Sequence, residues 1–169
     1  MLLHTRTNII ISFSLHETSI IYEIILRRGP SGLLLAQRLV QSKLPLDKID
    51  IYESRGDPRD ITKALGGRAY ALGLGMRGRT AIRTVDEKLW NAVKKRGKEC
   101  ERFRLHFNSK INIKLRDKEK GVEPSVLIYQ TDLCGALMNE LDMRANDADA
   151  NVKVHFNSKI SNLDLASSM

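Results

Sequence analysis

Gly29-Pro30-Ser31-Gly32 stands between a β-rich apolar run, Ile20 to Leu26, and a segment with helical apolar spacing: Leu33, Leu34, Ala36, Leu39 and Val40. A second run, Ile49-Asp50-Ile51-Tyr52, closes on the acid Glu53. Strand, glycine turn, helix, strand and terminal acid together suit a phosphate carried on a sugar. A glycine lets the backbone approach the phosphate, and another lets the helix pack closely on the strand. The free N–H groups and dipole at the helix start hold the anion, and the acid accepts hydrogen bonds from ribose hydroxyls. The glycines alone would describe an ordinary turn between strand and helix. With the strands and the acid at the right distance they describe a dinucleotide site. One position departs from the G-x-G-x-x-G pattern: Arg27 stands where the first glycine belongs. That glycine makes the tight turn leaving the strand, and a side chain there crowds the ligand, although a cation can still meet a phosphate.

The elements that must hold these residues follow from the same pattern. Strand, helix and strand within some thirty residues demand a parallel pair with a right-handed crossover. The fold class expected is α/β, a Rossmann-like parallel sheet. The first helix ends before Pro45, and a glycine-dense stretch covers Gly66 to Gly78. A helix is expected from about Thr80 to Lys95. Arg102 to Leu115 then alternates apolar and polar residues, which predicts an inserted antiparallel β-hairpin turning at Asn108-Ser109. A short strand over Val126–Tyr129 leads into a helix from Thr131 to Met143, capped by Thr131 or Asp132. Val152 to Phe156 reads as a last strand. His-Phe-Asn-Ser-Lys-Ile occurs twice, at His106–Ile111 and His155–Ile160. Two copies do not make a repeat architecture.

Gly29-Pro30-Ser31-Gly32-Leu33-Leu34-Leu35-Ala36 and Ile51-Tyr52-Glu53 resemble the opening of the flavin-dependent aromatic hydroxylases, the single-component FAD monooxygenases. Within that family the sequence resembles the kynurenine 3-monooxygenase branch. Gly67-Arg68-Ala69-Tyr70-Ala71-Leu72, running on to Arg77-Gly78-Arg79-Thr80-Ala81-Ile82, is similar to the segment after the second strand in that family. Tyr129-Gln130-Thr131-Asp132-Leu133 resembles its later strand-to-helix step. The resemblance runs from about Ile24 to Leu165 and leaves residues 1–19 as an unmatched extension. It implies FAD as cofactor, with Gly29, Ser31 and Gly32 at the pyrophosphate turn and Glu53 on the ribose. Arg68 would lie against the pyrophosphate or ribitol, and Gln130 along the flavin chain. It also implies NAD(P)H and O₂ as co-substrates and a small aromatic molecule as substrate. The cofactor carries such chemistry, so no catalytic acid, base or nucleophile is assigned. Two later family motifs, an Asp-Gly pair and a Gly-Asp-Ala segment, do not occur in the sequence. The expectation is therefore an incomplete domain, with residues 20–169 as the N-terminal portion of an FAD-binding monooxygenase domain. The alternatives are a non-catalytic remnant of that fold and a basic module that binds nucleic acid or phosphate.

Composition narrows the field. The 169 residues are 42% hydrophobic and 28% charged, enough apolar content to build a core. Aromatics make up 5%, with a single tryptophan, which argues against a base-stacking platform and for no nucleic-acid partner. The formal charge of +8 favours anionic ligands. Cys100 and Cys134 cannot form a disulfide scaffold and have no metal-ligand spacing, so reduced thiols in the cytoplasm are expected. The first twenty residues only faintly echo a transit peptide, and no run of about 18 apolar residues offers a membrane span.

Three rival motifs are weaker. Gly73 to Thr80 has phosphate-loop spacing, but Arg79 replaces the lysine, and a planar guanidinium substitutes poorly for a compact ammonium. Lys94-Lys95-Arg96 reads as a solvated helix end, where cations meet the dipole. Ser31 is no nucleophile elbow, because Leu33 stands where the last glycine of G-x-S-x-G belongs.

Overall fold

A computed structural model describes residues 9–14, 21–26, 29–42, 44, 46–60, 70–101, 103–106, 112–116 and 123–161; for 9–14, 21–26, 103–106 and 112–116 it describes the backbone. In chain order the elements are β1 (Ile9–Ser14), β2 (Ile21–Leu26), α1 (Pro30–Gln41), β3 (Lys48–Tyr52), β4 (Ala71–Leu74), α2 (Met76–Arg83) and α3 (Glu87–Arg96). They continue with β5 (Lys98–Cys100), β6 (Phe103–His106), β7 (Asn112–Arg116), β8 (Ser125–Tyr129), α4 (Gln130–Asp147) and β9 (Val152–His155).

The predicted strand–helix–strand unit is β2-α1-β3, with β2 and β3 parallel and Leu26 level with Tyr52. β9 adds parallel on the far side of β3, His155 level with Tyr52. β1, which falls in the stretch the resemblance does not reach, pairs antiparallel along all of β2. The sheet order is therefore β1-β2-β3-β9. A second, antiparallel sheet has the order β4-β8-β5, and β6 and β7 form the predicted hairpin. Its predicted Asn108-Ser109 turn lies outside the described residues. The α/β class read from the sequence is the fold observed.

The core is built where these layers meet. Ile49 and Ile51 of β3 are buried beneath Leu33 and Ala36 of α1, and α1 packs against α4. Six consecutive residues of α4, Leu133 to Met138, are buried. A stretch enclosed on all sides has no need of a polar stripe; this part of α4, which packs on α1, α3 and β8, is so enclosed, while Asn139, Asp142, Met143 and Asn146 beyond it are exposed. Trp90 and Leu89 of α3 and Val126 and Ile128 of β8 complete the cluster. Gly97, between α3 and β5, is there for contact: a Cβ would lie 2.2 Å from Val126 Cγ1 and 2.9 Å from the Leu127 carbonyl oxygen.

Polar bonds fasten α1 to the rest. Gln37, fully buried, donates from Nε2 to the Leu137 carbonyl at 3.0 Å and accepts from Arg144 Nε at 2.6 Å. Arg144 Nη2 also pairs with Asp86. Arg38 and Gln41 donate to the carbonyls of Thr84 and Val85.

Two expectations need correction. The helix predicted over Thr80 to Lys95 is two helices, broken at Thr84-Val85-Asp86. Thr84 Oγ1 bonds back to the Ala81 carbonyl at 2.7 Å, and extended Asp86 caps α3 by accepting from the Leu89 N–H at 2.6 Å. Neither Thr131 nor Asp132 caps α4. The cap is Tyr129, which makes no side-chain bond, so both residues fall inside the first turn.

Candidate functional site

Leu26, Tyr52 and His155 lie side by side, so the carboxyl ends of β2, β3 and β9 share one edge. Ligands of open α/β sheets bind at that edge. Gly29, at the start of α1, and the acid after β3 both lie at that end of the strands.

The turn ends in Gly29, the N-cap of α1. It makes no side-chain cap bond, and the first turn of α1 holds no acidic residue. A Cβ built at Gly29 would meet nothing within 4 Å among the described residues, so none of them fills the space beside this helix start. Pro30 occupies the first turn, where its missing N–H costs nothing. Ser31 is exposed, while Gly32 is buried. The N–H groups at the start of a 12-residue helix are therefore presented to an open space, the arrangement an anion takes.

Glu53 follows β3 and is 2% exposed. Its backbone is fixed from both sides: its N–H donates to the His155 carbonyl at 3.0 Å, and its carbonyl accepts from the Ser158 N–H at 2.9 Å. The two carboxylate oxygens differ. Oε1 accepts from the Arg55 N–H at 2.9 Å, from Arg55 Nε at 3.2 Å and from Ser54 Oγ at 3.2 Å. Oε2 is buried and accepts no hydrogen bond among the described residues. Burial pushes the carboxyl pKa up, but the Arg55 and Ser54 hydrogen bonds outweigh it and hold the group below its ordinary value. Glu53 is thus a buried carboxylate with one oxygen unspent. Leaving such an acceptor unmatched costs about 1–3 kcal/mol or more for a charged group, and a hydroxyl donor relieves it.

Among the described residues Arg55 is held at its Nε and backbone, and its side chain is 63% exposed. It lies near Tyr70 and Cys134, and the Glu53 bond raises its pKa. Beyond it, Arg59 grips Asp57 at 2.6 Å and Asp142 of α4 at 2.6 Å, tying the loop after β3 to the helix.

Gln130 opens α4, and its N–H donates to the Tyr70 carbonyl at 3.1 Å. The chain entering β4 is thereby fastened to the strand-to-helix step. Arg68 and Arg27 lie outside the described residues. Gly29, Gly32 and Glu53 are thus brought to one edge of the sheet, while Gln130 sits at the junction of the second sheet and α4.

Sequence reasoning missed Arg55 and the partner of His155. His155 Nε2 lies 2.7 Å from Asp50 Oδ1, and its ring stacks on Tyr52 with centroids 4.5 Å apart and planes 9° apart. Lys48 Nζ holds the other Asp50 oxygen at 2.7 Å. Burial works to raise the Asp50 carboxyl, and Lys48 and His155 together bring it below its usual range. The cross-strand register of β3 and β9 makes the cluster, and no spacing within one segment announces it.

The phosphate-loop rival finds no support in the geometry. β4 is an antiparallel edge strand, and Arg79 is 5% exposed, with its Nε on Glu123 Oε2 at 3.1 Å and Nη1 on the Pro124 carbonyl at 3.0 Å. Among the described residues there is no cluster of three potential metal ligands, and no helix is long and apolar enough to cross a membrane.

No protein-family model matches the sequence, and no curated protein matches it. Solved structures do match in three dimensions. The chain is similar to the Diels-Alderase PyrE3 of the pyrroindomycin biosynthetic pathway, with a TM-score of 0.55 at 18% identity, over 85% of this chain and 27% of that one. It is similar to the tetrameric form of 2-methyl-3-hydroxypyridine-5-carboxylic acid oxygenase, with a TM-score of 0.52 at 18% identity, over 79% and 30%. It is similar to CtdE, solved in complex with FAD, with a TM-score of 0.50 at 14% identity, over 82% and 30%. The chain spans less than a third of each of these proteins. The shared property is the fold: an α/β architecture of the kind found in an oxygenase and in a protein that holds FAD.

Proposed function

We propose that this chain is the nucleotide-binding portion of an FAD-dependent oxidoreductase of the aromatic-ring hydroxylase type. The observation that carries the reading is the unspent, buried Oε2 of Glu53 at the carboxyl edge of the parallel strands, the edge at which α1 presents its uncapped N-terminus beside open Gly29. A nucleotide brings a ribose hydroxyl for the first and a phosphate for the second. The likeness in fold to a protein solved with FAD supports the choice of cofactor.

In this reading the helix-start N–H groups of Ser31 and Gly32 hold the pyrophosphate, and Gly29 leaves room for it. Glu53 orients the ribose, while Arg68 and Gln130 lie along the rest of the cofactor. FAD, when bound, would supply the redox chemistry: two electrons from NAD(P)H would be spent on O₂, one oxygen atom going to a small aromatic substrate and the other leaving as water. The contribution of this chain is to bind the ADP half, to screen its charge and to keep water off the buried carboxylate.

The test is titration of the purified chain with FAD, followed by quenching of flavin fluorescence. A dissociation constant of about 1–10 μM is expected, weakened about tenfold or more in Glu53→Gln, whose amide offers the ribose a poorer acceptor. Arg27→Gly restores the missing first glycine and should tighten binding. No saturable binding by wild type or by Arg27→Gly, from folded samples, removes the cofactor assignment.

A further inference from the structure

We propose that the crevice between the end of α1, the start of α3 and the second half of α4 binds a small organic cation, a protonated primary amine on a short apolar body. The crevice has a volume of about 300 Å³ and is lined by residues of those three helices. α1 begins after the carboxyl end of β2 and finishes ahead of β3, and α4 finishes ahead of β9. The crevice therefore sits at the amino end of the parallel strands, with the length of α1, about 18 Å of helix, between it and Gly29. It is separate from the carboxyl edge and does not rest on the nucleotide reading.

Glu140 sets the chemistry. Its side chain lines the crevice and is 11% exposed, yet it accepts no hydrogen bond among the described residues. The cation paired with it is Lys88, whose Nζ stands 4.0 Å away, beyond hydrogen-bond reach, on a side chain that is 70% exposed. A pair of that kind contributes little, and a lysine in the first turn of α3 stands against the helix dipole. The other charges are spent or add to the negative side. Asp86 accepts from the Leu89 N–H and pairs with Arg144, whose Nε is given to Gln37. Asp147 is exposed, and the last carbonyls of α4 bring the negative end of its dipole to the same place. In a chain of formal charge +8, this lining is net negative, with Asp86, Glu140 and Asp147 against Lys88 and Arg144. An ammonium gives Glu140 the short, charge-assisted N–H···O bond that Lys88 does not make. Beside it Met143, an exposed methionine, and partly buried Val40 form an apolar wall for a short alkyl body.

The experiment is titration of the purified, ¹⁵N-labelled chain with n-butylammonium chloride, n-butanol and tetramethylammonium chloride at neutral pH and fixed ionic strength, followed by the backbone amide signals. n-Butylammonium is expected to saturate with a dissociation constant of about 1 mM, moving the signals of Glu140, Met143 and Arg144 and leaving those of Gly32 and Glu53 in place. n-Butanol lacks the charge and tetramethylammonium lacks an N–H donor, so each should bind about fivefold more weakly or worse. Glu140→Gln should weaken n-butylammonium about fivefold or more. Lys88→Ala removes the rival cation at an exposed position and should tighten it about twofold to threefold. Circular dichroism confirms the fold of each variant, and if Glu140→Gln does not fold, Lys88→Ala decides. The inference is overturned if the shifts rise without saturating or spread over exposed acids throughout the chain. It is overturned equally if either control ligand binds as tightly as n-butylammonium, if a folded Glu140→Gln binds as wild type does, or if Lys88→Ala fails to tighten binding.

Discussion

Gly29 and Gly97 both stand at a helix end next to a strand, and they are glycines for opposite reasons. Around Gly97 every volume is used, and a single added carbon runs into Val126 and the Leu127 carbonyl. A Cβ at Gly29 would meet no atom of the described residues within 4 Å. The carboxylates nearby repeat the contrast. Glu123, beside β8, spends both oxygens on Arg83 and one of them also on Arg79. Glu53, beside β3, keeps one oxygen unspent inside the protein. The β4-β8-β5 corner has its charges and volumes matched internally, whereas the carboxyl edge of the parallel sheet holds an open volume and an unmatched acceptor. Regions of the first kind stabilise a fold, and an edge of the second kind is what the proposed nucleotide would complete.

Substitutions can break this comparison or sharpen it. The largest effect is expected at Gly97→Ala, where φ is an ordinary −108° and only the contact forbids a side chain. Overpacking of this kind should cost about 3 kcal/mol, read as a lowered midpoint in urea. A near-neutral result would show that the corner is looser than its contacts state.

Gly29→Ala should do the reverse. Folding stability should fall by less than about 1 kcal/mol, the order of a changed N-cap residue. FAD affinity should fall much further, by about tenfold or more, because the methyl enters the space a phosphate needs. Equal effects on stability and affinity would erase the distinction between the two glycines.

The smallest effect concerns pH. The Glu53 carboxyl is held below its ordinary value in the folded chain by its hydrogen bonds to Arg55 and Ser54. A depressed acid adds stability above its unfolded pKa and loses it as pH falls through the folded value. Glu53→Gln should therefore flatten the stability profile below about pH 4.5 and leave the slope between pH 6 and 8 unchanged. Acid unfolding monitored by circular dichroism decides this. An unchanged profile would mean that Asp50 and Asp86, also lowered by their partners, carry the acid dependence instead.

How much of this was legible in the sequence follows from which interactions are local. The β2-α1-β3 unit was readable because Gly29, Gly32, the apolar spacing of α1 and Glu53 lie within one short stretch. The hairpin showed itself through period-two alternation. The break between α2 and α3 was missed although Asp86 is a good N-cap residue, because the apolar spacing of Ile82, Leu89 and Val93 runs across it. Tyr129 as a cap could not be foreseen, since the Gln130 N–H finds its acceptor at Tyr70, about sixty residues earlier. Arg55 was overlooked for a related reason. An arginine two residues after an acid is commonplace, and only the burial of one carboxylate oxygen gives it meaning. The pairing of His155 with Asp50 is set by the register of two strands about a hundred residues apart, and no local spacing encodes that.

That last pairing also orders events in time. β3 has β2 along one edge as soon as the first fifty residues have emerged, but its other edge waits for β9, with Ile49 partnered by Val152, 103 positions later (152 minus 49). At about 5–20 residues per second of chain growth, that edge stands unpaired for roughly 5–20 s on the ribosome. Glu53 cannot be enclosed earlier, because the backbone bonds that fix it come from His155 and Ser158. The carboxyl edge of the parallel sheet is begun by the first part of the described chain and finished by the last. During synthesis the growing chain passes through a state with half a sheet and a bare β3 edge, the state in which a chaperone or an early ligand has most to gain by holding on.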